Sequence, residues 1–240
     1  MNFFVPLFFC LLFFGNNAFC QQNINPDIAE AKNNTLRLYD DYVGAQAAIY
    51  NGPEYLPFLF RREGSTFYDS DSLTTGWISY EHYLYKEIPI QYDVTRDQVV
   101  ILNFDAKSRL FLENSKIDSF HYAEHTFINL AQNVEQNLPV SGFYEILVKG
   151  DVAAFALRKK TYREVIKENQ VVRVFSNNDR IFLKKNDKYS EVKNKDDLFR
   201  VLGDKRNAVK TELRQRRIKI RRQNFEEAVL IAVKIYDQLT

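Results

Sequence analysis

The chain has 240 residues, Lys and Arg numbering 33 against 31 Asp and Glu, and 15% of its residues are aromatic. It is long enough to hold itself together by core burial, and its near-neutral total excludes a uniformly polyanionic or polycationic character. It contains two cysteines, Cys10 and Cys20, so a disulfide-dense small scaffold is excluded as well.

The apolar run over residues 3–14 is too short for a membrane-spanning helix, which needs about 20 residues. It is predicted to be a signal peptide, residues 1–20, although it lacks the usual Lys or Arg near its start. Cleavage after Cys20 places Ala18 and Cys20 at the third-last and last positions of the peptide. Bulky Phe19 fits poorly with a lipidated Cys20. The mature chain then begins at Gln21 without cysteine, and no disulfide, thiolate metal site or cysteine nucleophile is expected. The reading is an exported protein of the periplasm or cell surface, without a later transmembrane segment; a lipidated Cys20 and cleavage after Ala18 are the alternatives to cleavage after Cys20.

Residues 21–35 are polar and read as a flexible N-terminus; Asn33 begins an N-x-T acceptor pattern. Residues 36–194 form the expected β-rich domain. A short helix within 36–50 leads to a turn at Asn51-Gly52. In "IPIQYDV", Ile88, Ile90, Tyr92 and Val94 face one way and Pro89, Gln91 and Asp93 the other, the pattern of a sheet with one wet face. Asp93 and Asp97 flank a turn that Asx hydrogen bonds would cap. "VVILNF" is apolar on both faces, as in a covered strand.

Eight further strands follow: "RLFLE", "KIDSFHY", "HTFINLA", "GFYEILV", "VAAFALR", "VVRVF", "RIFLKK" and "KYSEV"; "YREVIKENQ" reads as one helical turn. The short breaks between them demand antiparallel neighbours. The fold class is α+β, an antiparallel meander closed as a barrel or folded as a sandwich. A helical tail follows over 195–240, packed on the β body.

In that tail Leu198, Leu202, Val209 and Leu213 share one helical stripe, which Arg216 would interrupt. Asn224 is the expected N-cap of a second helix, with Glu227 at the capping-box position. Its apolar side holds Ala228, Val229, Ala232, Ile235, Tyr236 and Leu239.

Three features carry functional hypotheses. "HYAEH" matches the H-x-x-E-H spacing, so His121, Glu124 and His125 are the candidate metal set of a metal-dependent hydrolase. Their strand-like flanks argue against the helical geometry that spacing requires. Trp77 and Tyr80, with Tyr83 and Tyr85, are candidates for an aromatic stacking surface. The third feature is charge. Residues 195–240 hold 12 Lys and Arg against 7 Asp and Glu, while the rest of the chain holds 21 against 24. Arg206, Lys210, Arg214 and Arg217 follow one helix flank as a basic ridge. For an exported chain the expected partner is an envelope protein or an anionic membrane surface, not nucleic acid. No catalytic residue, cofactor, nucleotide loop or nucleophile elbow is read from the sequence.

The stretches "GWISYEHYLYKEIPIQYDVTRDQVVI", "GFYEILVKGDVAAFALRKKTYREVI" and "RIFLKKNDKYSEVKNKDDLFRVLGDKR" resemble a family of exported, β-rich envelope proteins of Gram-negative bacteria. The resemblance covers most of residues 40–240. It implies export and a β-rich body, and supplies no reaction or catalytic residues. The expected function is a non-catalytic binding or assembly module of the cell envelope. The alternatives are the hydrolase above and a structural subunit of an envelope complex.

Overall fold

A computed structural model of the chain describes residues 47–57 and 59–239, together with Glu30, Ala31, Thr35 and Gly44. The expected signal peptide, with Cys10 and Cys20, and the Asn33 acceptor lie outside the described residues. The chain divides into two units, Met1–Gly44 and Ala45–Thr240. In the first, Glu30, Ala31 and Thr35 are helical, and the Thr35 hydroxyl donates to the Ala31 carbonyl at 2.8 Å.

The second unit is β-rich and ends in helices. Its strands are β1 (Arg62–Glu63), β2 (Thr74–Tyr80), β3 (Tyr83–Asp93), β4 (Gln98–Leu102), β5 (Arg109–Phe111), β6 (Ile117–Tyr122) and β7 (His125–Leu130), followed by β8 (Gly142–Val148), β9 (Val152–Leu157), β10 (Lys160–Lys167), β11 (Gln170–Asn177), β12 (Arg180–Lys185) and β13 (Lys188–Val192). Ten of them form one open antiparallel sheet in the order β13-β12-β9-β8-β7-β6-β2-β3-β4-β5. The sheet is not closed into a barrel. The β10–β11 hairpin leaves it between β9 and β12, which pair directly with each other, and joins β1 in a separate three-stranded sheet. "YREVIK" is therefore strand, not a helical turn, and its β-branched pair Val165–Val172 sits in register across the hairpin.

The large sheet bends around an aromatic core. The Tyr92 ring of β3 lies 5.8 Å from Phe143 of β8, although three strands separate them in the sheet. Tyr92 also meets Phe120 and Phe127 at 5.3 and 5.2 Å, and those two rings stack at 4.8 Å. Gly76 in β2 permits the approach to β6: a Cβ there would lie 1.9 Å from the His121 carbonyl oxygen.

Ile88, Ile90, Tyr92 and Val94 are all buried, as their alternation predicts. The expected wet face of β3 is not wet at its end, because Gln91 and Asp93 are also fully buried. Asp93 accepts hydrogen bonds from Tyr55 (2.9 Å), Thr66 (2.5 Å) and the Thr95 and Arg96 amides (3.0 and 3.1 Å), and Arg109 donates to Gln91 at 2.7 Å. Burial is tolerated there because the polar groups find partners.

Three helices follow: α1 (Lys195–Val201), α2 (Arg206–Gln215) and α3 (Phe225–Gln238). Asn194 caps α1, its side chain accepting from the Asp196 and Asp197 amides. The first expected helix is broken by a 3-10 turn, Gly203–Lys205, yet Leu198, Leu202, Val209 and Leu213 all stay buried. With Val229, Ala232 and Val233 of α3 they cover Val152, Ala154, Ile181 and Leu183 on one face of β9 and β12. The other face carries Phe155, Leu157 and Phe182 beneath Leu138 of the β7–β8 loop. Asn224 does not cap α3. Its carboxamide oxygen accepts from the Arg221 amide (2.8 Å) and its NH2 donates to the Lys219 carbonyl (3.0 Å), holding the loop ahead of the helix. Among the described residues no helix is long and apolar enough to cross a membrane.

Candidate functional site

Two regions concentrate polar chemistry. The first is built on β7, β8 and the end of β9. Arg158, 8% exposed, is met by three carboxylates. Its Nε donates to Glu145 at 2.5 Å, Nη1 to Asp179 at 3.0 Å, and Nη1 and Nη2 to the two Glu226 oxygens at 2.7 Å each. Burial opposes the guanidinium charge, but the Glu226 hydrogen bonds and nearby Glu145 outweigh it and hold Arg158 protonated. Because Glu226 lies in the first turn of α3, this cluster fastens the helix to the sheet.

Glu145, almost fully buried, lies 2.5 Å from His125 Nδ1 and accepts from the Tyr68 hydroxyl at 3.2 Å. Contact through Nδ1 with a carboxylate that also holds Arg158 fixes the orientation of the imidazole. Burial pushes the Tyr68 phenol well above its ordinary range. A cavity of about 330 Å³ adjoins this cluster, lined by Tyr68, Asp69, Arg158, Lys160 and Asp179. The Lys160 ammonium donates to the Phe67 carbonyl, and burial lowers its pKa. The arrangement is an oriented imidazole, half of an acid–base device. Among the described residues no serine, threonine or cysteine side chain hydrogen-bonds His125; its side-chain partners are Glu145 and Tyr68.

The H-x-x-E-H set does not converge. β6 and β7 form a hairpin whose turn residues, Ala123 and Glu124, have positive φ. Register pairs His121 with Thr126 and Tyr122 with His125, so side-chain alternation sends the two histidines to opposite faces. His125 turns inward beside Tyr122. His121 turns outward, stacked 5.9 Å from Trp77, and Glu124 is exposed at the tip. Among the described residues no group of three or more His, Cys, Asp or Glu side chains is placed to hold a metal ion.

The aromatic stacking pair separates for the same reason. Trp77 is half-buried on the outer face, whereas Tyr80 is 5% exposed in the core. Glu81 and His82 make the intervening turn, so Tyr83 and Tyr85 fall on the inward face and pack edge to face at 4.8 Å.

The second region is the basic tail. Arg206, Lys210 and Arg214 follow one another along α2, and Lys210 reaches over the Phe199 ring at 4.8 Å. Partial burial, then the charges of Arg206, Lys195 and Arg214, lower the Lys210 pKa. Arg217 is not on the helix, which ends at Gln215 as Arg216 foretold. It sits in the turn beyond, its amide donating to the Arg214 carbonyl at 3.0 Å. Over residues 206–222 eight Lys and Arg face one acid, Glu212. Among the described residues only Arg216 of these eight forms an ion pair, at 3.5 Å.

No family model, no curated protein and no solved structure matches the chain. A functional assignment therefore rests on the two regions themselves. Tyr68, Glu145, Arg158, Lys160 and Asp179 were not legible as a site in the sequence, because they converge from strand ends and loops far apart in the chain. The one available signal was the odd polar residue inside apolar strands, Glu145 within "GFYEILV" and Arg158 ending "VAAFALR".

Proposed function

We propose that this protein is a non-catalytic binding or assembly module of the bacterial cell envelope, exported to the periplasm or cell surface. It docks on an anionic partner through the basic face of its helical tail. The observation that carries this reading is the unmatched charge of residues 206–222. Several cations elsewhere do meet carboxylates: Arg180 pairs with Glu191 at 2.8 Å, Lys167 with Glu63 at 2.6 Å and Lys116 with Glu81 at 2.7 Å. The tail leaves a contiguous cationic surface, which attracts polyanions over about a Debye length, roughly 8 Å at physiological salt.

The test is the triple charge reversal Arg206→Glu, Lys210→Glu and Arg214→Glu, followed by cell fractionation and crosslinking pull-down. Lys210 partly covers Phe199 and the two arginines are exposed, so circular dichroism should report an intact fold. Envelope association is expected to fall about tenfold or more at low salt, with the difference shrinking as salt rises. Unchanged fractionation and an unchanged set of captured proteins would remove the proposal.

A further inference from the structure

The loop after α2 adds a concave site to this basic face. Residues 217–221 alternate: Arg217, Lys219 and Arg221 are exposed, whereas Ile218 and Ile220 turn partly inward. Against α3 this loop borders an open cavity of about 350 Å³. Arg217, Lys219 and Arg221 line it together with the apolar side chains of Ile218, Ala228 and Ile231. Glu227 is the single carboxylate in its wall. The two hydrogen bonds of the Asn224 carboxamide, to the Arg221 amide and the Lys219 carbonyl, hold the loop in this shape.

Arg217 occupies a position where a glycine is ordinarily found. The Ile218 amide donates to the Leu213 carbonyl at 2.8 Å and the Arg217 amide to the Arg214 carbonyl at 3.0 Å, the double bond of a Schellman helix end. That motif puts its first residue beyond the cap in the left-handed region, and Arg217 has φ of +57°. An L side chain there strains the backbone. The chain accepts this strain at a residue of the cavity wall.

We propose that this cavity seats the phosphodiester of an anionic phospholipid, so that the surface on which the basic tail docks is a lipid bilayer. Three cations against one carboxylate select an anion, and two guanidinium forks match phosphate oxygens in pairs. The apolar lining suits the glycerol and upper acyl carbons behind the phosphate, which a free phosphate ion lacks. The ridge of Arg206, Lys210 and Arg214 extends the charge outside the cavity, where neighbouring headgroups lie. This inference rests on the docking reading above and names its surface.

The experiment is co-sedimentation of the full mature chain with phosphatidylcholine vesicles, with and without phosphatidylglycerol. Binding is expected only to the mixed vesicles, since each cation at an anionic surface strengthens binding about fivefold. Arg217→Gly should bind about fivefold more weakly, and yet melt about 2–4 °C higher once the strain is relieved. Lys219→Ala with Arg221→Ala should also weaken binding without a comparable rise in melting temperature. Equal pelleting with neutral vesicles, or unchanged binding by both variants, would overturn the lipid assignment. Competition by inorganic phosphate at concentrations too low to act by ionic screening would overturn it too, in favour of a free-anion site. If the wild type ignores mixed vesicles while the α2 charge reversal still abolishes envelope association, docking stands and the surface is an acidic protein.

Discussion

Burying a guanidinium is costly unless its donors are met, and at Arg158 three carboxylates meet them. The converse holds for Glu145, which without its arginine would keep His125 and the Tyr68 hydroxyl but lose its fixed positive partner in a buried site. Arg158→Met should destabilise the fold by about 3–5 kcal/mol, measured by urea unfolding. Arg158→Met combined with Glu145→Gln should recover part of that loss, because the most deeply buried of the three carboxylates is then no longer charged. If the single variant unfolds at the wild-type midpoint, the ion cluster does not fasten α3 to the sheet. A sequence shows a charged residue inside an apolar run but not its partner. Asp179 and Glu226 reach Arg158 from a strand turn and a helix start, and no local spacing links the three. Strand alternation alone puts Trp77 and Tyr80 on opposite faces of β2, whereas the Ala123-Glu124 turn separates His121 from His125.

At the scale of elements, most strands were legible because two-residue periodicity and short gaps both report antiparallel pairing. Turn chemistry was less so. Four hairpins close through two-residue turns, Glu81-His82, Ala123-Glu124, Glu168-Asn169 and Asn186-Asp187, all at positive φ, and none of these four contains glycine. The usual Asn-Gly signature is absent from them, although both residues of each turn have the positive φ that a two-residue hairpin turn needs. The helical stripe was also read correctly from its apolar spacing, while the break at Gly203–Lys205 was not.

That break places Asp204 2.5 Å from Lys185 on β12 and 2.9 Å from the Tyr236 hydroxyl on α3. The Lys185 hydrogen bond lowers the Asp204 pKa from 3.8 to about 2. A carboxyl with a depressed folded pKa stabilises the fold once ionised. Its contribution is complete above about pH 4 and fades as pH falls towards 2. Asp204→Asn should therefore flatten the decline in stability across that window, followed by chemical unfolding at successive pH values. An identical acid profile in the variant would place the tail's acid sensitivity elsewhere.

For the molecule as a whole, the charge asymmetry was the feature most fully visible in the sequence, since it requires only counting. Its meaning needed the structure: the acidic body does not neutralise the ridge, and Arg217 belongs to a cavity wall instead of the helix flank. The fold class was legible from alternating strands followed by helical spacing. The curl of the sheet was not, because it depends on contacts such as Tyr92 with Phe143 across intervening strands.

The pairing of β9 with β12 also makes residues 158–179 a module that the main sheet does not need for its continuity. A shortened chain that keeps Arg158 and Asp179 and replaces the hairpin between them with a tight connection should retain its far-ultraviolet β signal and cooperative melting. Collapse of that deletion variant would show the hairpin to be structural. If it folds, the same junction becomes a place to graft a foreign peptide, with the Arg158–Asp179 ion pair clamping the two ends of the insert.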